Sequence, residues 1–159
     1  MTGYGVIETQ GSRLCCLGHG KIDAASGQAE FPQRLHRIYK RLCELLQEHS
    51  PQVVAVEEVF YAVNVKTALK LGHARGVILL AAAEAGLPVL EYSPLEVKKA
   101  VVGYGRADKG QVQMMVKTLL NLDALPQPHD AADALAVAIC HSLSGSPRQR
   151  SRRRWTAAR

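Results

Sequence analysis

Val54-Ala55-Val56-Glu57-Glu58-Val59-Phe60 is a short apolar run that closes on acids. Far along the chain stands His129-Asp130-Ala131-Ala132-Asp133-Ala134-Leu135, with Asp130 and Asp133 at i and i+3, hence on one face of a helix. The near-continuous apolar stretch from Gln52 to Val56 has the character of a strand buried on both faces of an α/β sheet. A carboxylate presented at the end of that strand, opposite a helical Asp pair, makes a cage for Mg²⁺, a hard cation that takes oxygen ligands. Cages of this kind activate water and stabilise the leaving oxygen in phosphodiester hydrolysis.

Each acid also has a plainer reading. Glu57 suits a solvated strand end, and Glu58 competes for its role. The two point opposite ways along an extended strand, so only one looks into a site. Acids in the first turn of a helix favour the macrodipole by about 0.3–1 kcal/mol each. That accounts for Asp130 better than for Asp133, which sits inside the apolar run Ala131 to Ile139 and needs a partner there.

Working outward, Tyr4 to Thr9 and Arg13 to Ile22 read as two strands joined at Gln10-Gly11-Ser12. Phe31 to His49 carries Leu35, Ile38, Tyr39, Leu42, Leu45 and Leu46 at helical spacing, and Ser50-Pro51 ends it. Asn64 to Ala85 is helical, with small residues that permit close helix–helix approach. Gly86-Leu87-Pro88 closes it before a strand at Val89 to Tyr92. Ser93 caps a short helix with Pro94 at its first position. Gly103-Tyr104-Gly105 breaks that helix, Asp108 caps the next, and His129 to Leu143 forms the last. Strands come early and then alternate with helices, which predicts a mixed α/β sheet with helices on its faces.

At 159 residues with 47% apolar content, one domain with one real core is expected. The longest apolar stretch, Gly76 to Ala85, is half of the roughly 20 residues that span a bilayer. The start of the chain has no basic-then-apolar signal for export. Cys15, Cys16, Cys43 and Cys140 fit no zinc or thiol-redox spacing and are expected reduced, three of them in the core. Charge divides the chain in two. Arg148, Arg150, Arg152, Arg153, Arg154 and Arg159 account for the whole formal charge of +6, so residues 1–145 are neutral and residues 146–159 form a basic, disordered tail. Such a tail suits a polyanion, or else is merely solvated. Lys98, Lys99, Arg106 and Lys109 flank the Gly103-Tyr104-Gly105 break, where a loop can come close to a phosphate backbone or remain a solvated basic face. Phe60 and Tyr61 follow the acidic strand end and either stack on an unpaired base or pack. His73 and His129 are candidate general bases, though lone histidines are more often structural.

The run Val56-Glu57-Glu58-Val59-Phe60, then Asn64, then Ala68-Leu69-Lys70-Leu71-Gly72-His73-Ala74-Arg75-Gly76 closely resembles the RuvC family of Holliday junction resolvases. So do Glu91-Tyr92, Val97-Lys98, Val101-Val102-Gly103-Tyr104-Gly105, Lys109, Gln111-Val112-Gln113 and Asp130-Ala131-Ala132-Asp133-Ala134-Leu135-Ala136. The resemblance runs from Thr2 to about Ile139. It implies a ribonuclease H-like fold and a homodimer that cuts opposed strands of a four-way DNA junction with two Mg²⁺ ions per site. A branch-migration motor of the same pathway is an implied partner and the cytoplasm the implied location. By resemblance, Glu57, Asp130 and Asp133 are the catalytic metal-holding carboxylates. Lys98 and Lys109 stand near the scissile phosphate, and Phe60 contacts an unpaired junction base. Arg75 lies within a matching run and is expected to touch DNA, while the helix from Asn64 to Ala85 contributes to the dimer interface.

Members of the family begin with an apolar strand ending in Asp-Pro-Gly, a few residues before the Thr-Gly-Tyr-Gly that stands here at Thr2 to Gly5. The resemblance therefore implies a sheet without its first strand, a site without that strand's Asp, and a start upstream of Met1. Two activities follow as expectations. One is a structure-selective endonuclease of recombination and repair; the alternative is a junction-binding protein without catalysis.

Overall fold

Two antiparallel strands, β1 (Thr2–Gln10) and β2 (Arg13–Ile22), open the chain, paired from Thr2↔Ile22 to Gln10↔Arg13. They turn at Gly11, whose φ of +63° is cheap only for glycine. Val6 faces Gly18 while Ile7 faces Cys16, so Leu17 forms a bulge. The computed structural model describes residues 2–24, 27, 29–58 and 64–144.

Helix α1 (Phe31–His49) follows, then β3 (Val54–Glu57), α2 (Val65–Glu84) and β4 (Val89–Tyr92). β3 and β4 are parallel, in register from Val54↔Val89 to Glu57↔Tyr92, and α2 is the crossover between them. The chain ends in three helices, α3 (Pro94–Val102), α4 (Lys109–Leu119) and α5 (His129–Leu143). Their boundaries are written in side-chain chemistry. Ser93 Oγ accepts from the Glu96 N–H at 3.3 Å, and Glu96 Oε2 accepts from the Ser93 N–H at 2.8 Å. Asp108 and Gln111 make the same reciprocal pair at 2.8 and 2.9 Å. Gly103, with φ +94°, stops α3 in the left-handed conformation.

Helices cover both faces of the β1–β2 hairpin. On one face Gly3, Gly5 and Ile7 meet α5, while Tyr4 on the other face packs with Ile22, Ile38 and Leu45 against α1. A methyl group at Gly5 would sit 2.8 Å from Leu135 Cγ, so the absence of side chains is what lets the helix lie on the strand. The main core gathers around α5: Leu135 and Ile139, with Val116 of α4 and Val97 and Val101 of α3, are buried. α5 also contacts β3 and β4, and is thus common to both strand pairs.

The mixed α/β character and the helices on both faces agree with the sequence. The sheet itself is divided: among the described residues it is two two-stranded sheets, β1–β2 and β3–β4. One expectation needs correction. Cys140 alone among the cysteines is buried; Cys15, Cys16 and Cys43 are half-buried, because the helices packed on the hairpin leave β2 and α1 partly uncovered. All four are free thiols. No helix among the described residues is long and apolar enough to cross a membrane. The Arg-rich tail lies outside the described residues.

Candidate active site

Glu57 is the last residue of β3 and lies opposite Tyr92 in the parallel ladder. Opposed residues in such a pair share a face. Tyr92 turns toward α5, where its hydroxyl and His141 Nδ1 share a 2.8 Å hydrogen bond. Glu57 therefore also looks toward α5, while alternation sends Val56 and Glu91 to the opposite face. Asp130 and Asp133 stand on the first turns of α5, both half-buried.

The electrostatics tie these acids together. Burial pushes the Glu57 carboxyl above its ordinary range, and the negative charge of Asp133 pushes it further. Burial likewise raises Asp133, helped by Asp130. Lys109 and Lys98 pull both acids back, and His129 adds to that pull on Asp133. Lys98 comes from the middle of α3, and Lys109 is the first residue of α4, placed by the Asp108 cap. Three helices and one strand end thus bring together the acids and the two lysines that the sequence singled out.

The carboxylates form a chain rather than a closed cage. Among the described residues no three His, Cys, Asp or Glu side chains converge tightly enough to hold an ion by themselves. The donor set still fits Mg²⁺ in kind, because that ion is commonly held by one or two carboxylates with waters and substrate phosphates completing its shell. Carboxylates that repel one another while partly desolvated are also the groups that a divalent cation relieves most.

Other candidates fall elsewhere. Phe60 and Tyr61 lie outside the described residues. His73 is engaged within its own helix, its Nδ1 2.6 Å from the Leu69 carbonyl and its ring edge-on to Phe31. Arg75 is not among the cations acting on Glu57 or Asp133. It occupies the far face of β3 and β4, where Nη2 pairs with Glu91 Oε1 at 2.6 Å and Nη1 donates to the Glu57 carbonyl at 2.8 Å.

Sequence reasoning missed two supports. Gln113 is buried on α4 and its Nε2 donates to the Pro126 carbonyl at 2.7 Å, fixing the loop that leads into α5. Gly3 and Gly5 seat the same helix, and their period-2 spacing was the available signal. Arg75 also left a trace as the only Asp, Glu, Lys or Arg between Lys70 and Glu84.

Carboxylates shared between a strand end and a helix, flanked by lysines on a mixed α/β frame, define a nuclease of the ribonuclease H-like class. The family model of crossover junction endodeoxyribonuclease RuvC matches residues 1–141. A crossover junction endodeoxyribonuclease RuvC from Alkaliphilus oremlandii is 54% identical over 144 residues, 91% of this chain and 87% of that protein. One from Koribacter versatilis is 55% identical over 141 residues, 88% of this chain and 84% of that protein. In three dimensions the chain resembles a T. thermophilus RuvC in complex with Holliday junction substrate, with a TM-score of 0.84 and 39% identity. That match covers 89% of this chain and 86% of the other. The chain belongs to the RuvC family of crossover junction endodeoxyribonucleases. The family is one of metal-dependent nucleases. Nothing in these matches supports the alternative of a junction binder without catalysis.

Proposed function

We propose that this chain cuts four-way DNA junctions by Mg²⁺-dependent hydrolysis of opposed phosphodiesters, using Glu57, Asp130 and Asp133 to hold the metal. The observation that carries the proposal is the meeting of Glu57 and Asp133 under the joint influence of Lys98 and Lys109. Bound divalent cations supply Lewis-acid charge and lower the pKa of water. The three carboxylates orient that charge, and their own repulsion favours its capture. Lys98 and Lys109 stand on the side of the acids where a phosphate brings negative charge, and steady it there. Phe60 stands three residues after the end of β3 in the sequence and, in this reading, stacks on a base freed at the junction.

In the same reading residues 1–145 are the nuclease domain, and the tail of residues 146–159 adds phosphate contacts. The protein works as a cytoplasmic homodimer through α2, whose Val65 and Leu69 are exposed, and serves recombination and repair beside a branch-migration motor.

The test is cleavage of an end-labelled four-way junction by the 159-residue chain with and without Mg²⁺, beside a matched duplex and an Asp133→Asn control. Symmetric nicks on the junction alone, absent in the control, are expected. Equal cutting of the duplex, or undiminished cutting by the variant, overturns the reading.

A further inference from the structure

The ladder between β3 and β4 leaves an edge to be explained. Val54 and Glu58 donate their N–H groups to Pro88 and Tyr92, so the alternate residues Ala55 and Glu57 turn their backbone groups to the other edge of β3. Among the described residues no strand pairs there. At Glu57 that edge carbonyl is met by Nη1 of Arg75, reaching from α2 at 2.8 Å. Nη2 of the same guanidinium holds Glu91 Oε1 at 2.6 Å on the neighbouring strand. One rigid fork therefore grips both strands at the level of the candidate site, from the face opposite the carboxylates.

We propose that Arg75, anchored by Glu91, is a positioning residue that sets the direction of the Glu57 carboxylate. The Glu57 peptide is held by the ladder through the following N–H and by Arg75 through its carbonyl. These two constraints fix the peptide plane, and hence where the side chain leaves the strand. Arg75 is only 21% exposed, and its charge is matched by Glu91 rather than left free for a phosphate. The fork also mechanically links α2, with its exposed apolar residues, to the strand end that carries Glu57. This assignment rests on the proposed role of Glu57, and it replaces the expected DNA contact of Arg75.

Glu91→Gln and Arg75→Lys in the full chain test it, each read three ways. The readings are junction binding without metal, single-turnover cutting, and Mn²⁺ affinity by calorimetry without DNA. Glu91→Gln keeps the size of a half-exposed side chain and leaves the fold intact. It is expected to slow cutting and weaken Mn²⁺ binding by about ten-fold, the usual cost of losing a group that orients a metal ligand, with junction binding within about two-fold. Arg75→Lys keeps the charge but loses the planar fork that grips the Glu57 carbonyl, and is expected to lose at least as much as Glu91→Gln. If Arg75 instead contacts DNA, Glu91→Gln frees it, tightening junction binding and leaving Mn²⁺ affinity unchanged; that result overturns the assignment. So does parental cutting and Mn²⁺ affinity in both variants. A parent that binds Mn²⁺ but never cuts a junction counts against the proposed function, and the Mn²⁺ measurement then decides the role of Arg75 alone.

Discussion

Gly3 of β1 lies directly beneath the backbone carbonyl of Asp130, so close that a methyl group at Gly3 would overlap that carbonyl. The strand is thus the seat of the helix turn that presents the acid. Gly3→Ala has a backbone to displace rather than a pliant side chain. It is expected to cost about 1–3 kcal/mol, the usual range for overpacking, and to lower cutting by moving Asp130. Thermal unfolding and single-turnover cleavage check both effects, and an unchanged melting temperature and rate would show that the seat is looser than it looks.

Asp133→Asn removes one of the carboxylates that repel one another. Junction binding should survive while cutting falls by about a hundred-fold or more, in line with loss of one preorganised electrostatic group. Gel-shift titration beside cleavage separates the two quantities. Parallel losses in both would mean that Asp133 acts in binding.

The raised carboxyls of Glu57 and Asp133 give the metal-free protein a defined pH response. Above their ordinary values of 4.5 and 3.8 the unfolded chain releases protons that the folded chain still holds. The folded state then binds more protons, so this contribution to stability declines as pH rises through the raised folded values. His141, lowered by burial, works in the opposite sense as pH falls, so the two acids are read by difference. In chelator the parent should gain on Asp133→Asn in melting temperature from about pH 7.5 down to about pH 5. At neutral pH added Mg²⁺ should raise the parent's melting temperature more than the variant's. Identical pH profiles would separate the two acids from each other.

Asp108 caps α4 and so sets where Lys109 begins. Asp108→Ala should cost about 1 kcal/mol, typical of a lost cap, and reduce cutting more than Asp108→Ser, which can still accept from Gln111. Equal cutting by the two variants would detach the position of Lys109 from the cap.

Gln113→Leu leaves the Pro126 carbonyl without its buried donor. Loss of about 1–3 kcal/mol is expected, together with faster hydrogen exchange in the first turn of α5. Exchange confined to α4 would place the effect elsewhere.

Much of this was legible because it is local. Ser93-Pro94 and Asp108 announce helix starts by hydrogen bonds made within three residues, and the structure places the caps there. Phe31 to His49 was readable from its apolar stripe alone. Glu57, Asp133, Lys98 and Lys109 were recognisable as chemistry, and the fold draws their charges together. What the sequence hid is long-range. The division of the sheet into two pairs depends on which strands meet, and strand periodicity is silent on that. The grip of Arg75 on Glu57 and Glu91 joins three elements, and no spacing along one helix encodes it. The burial of Cys140 alone follows from its place on the inward side of α5, whereas adjacent Cys15 and Cys16 point to opposite faces of β2 and neither face is fully covered there.

α5 is at once the centre of the core and the bearer of two acids: Leu135, fully buried, is two residues from Asp133. A change that loosens the packing therefore also shifts the carboxylates that the helix carries. Any adjustment to such a change has to come from the surfaces that receive the helix, and at Gly3 and Gly5 of β1 there is no side chain to adjust.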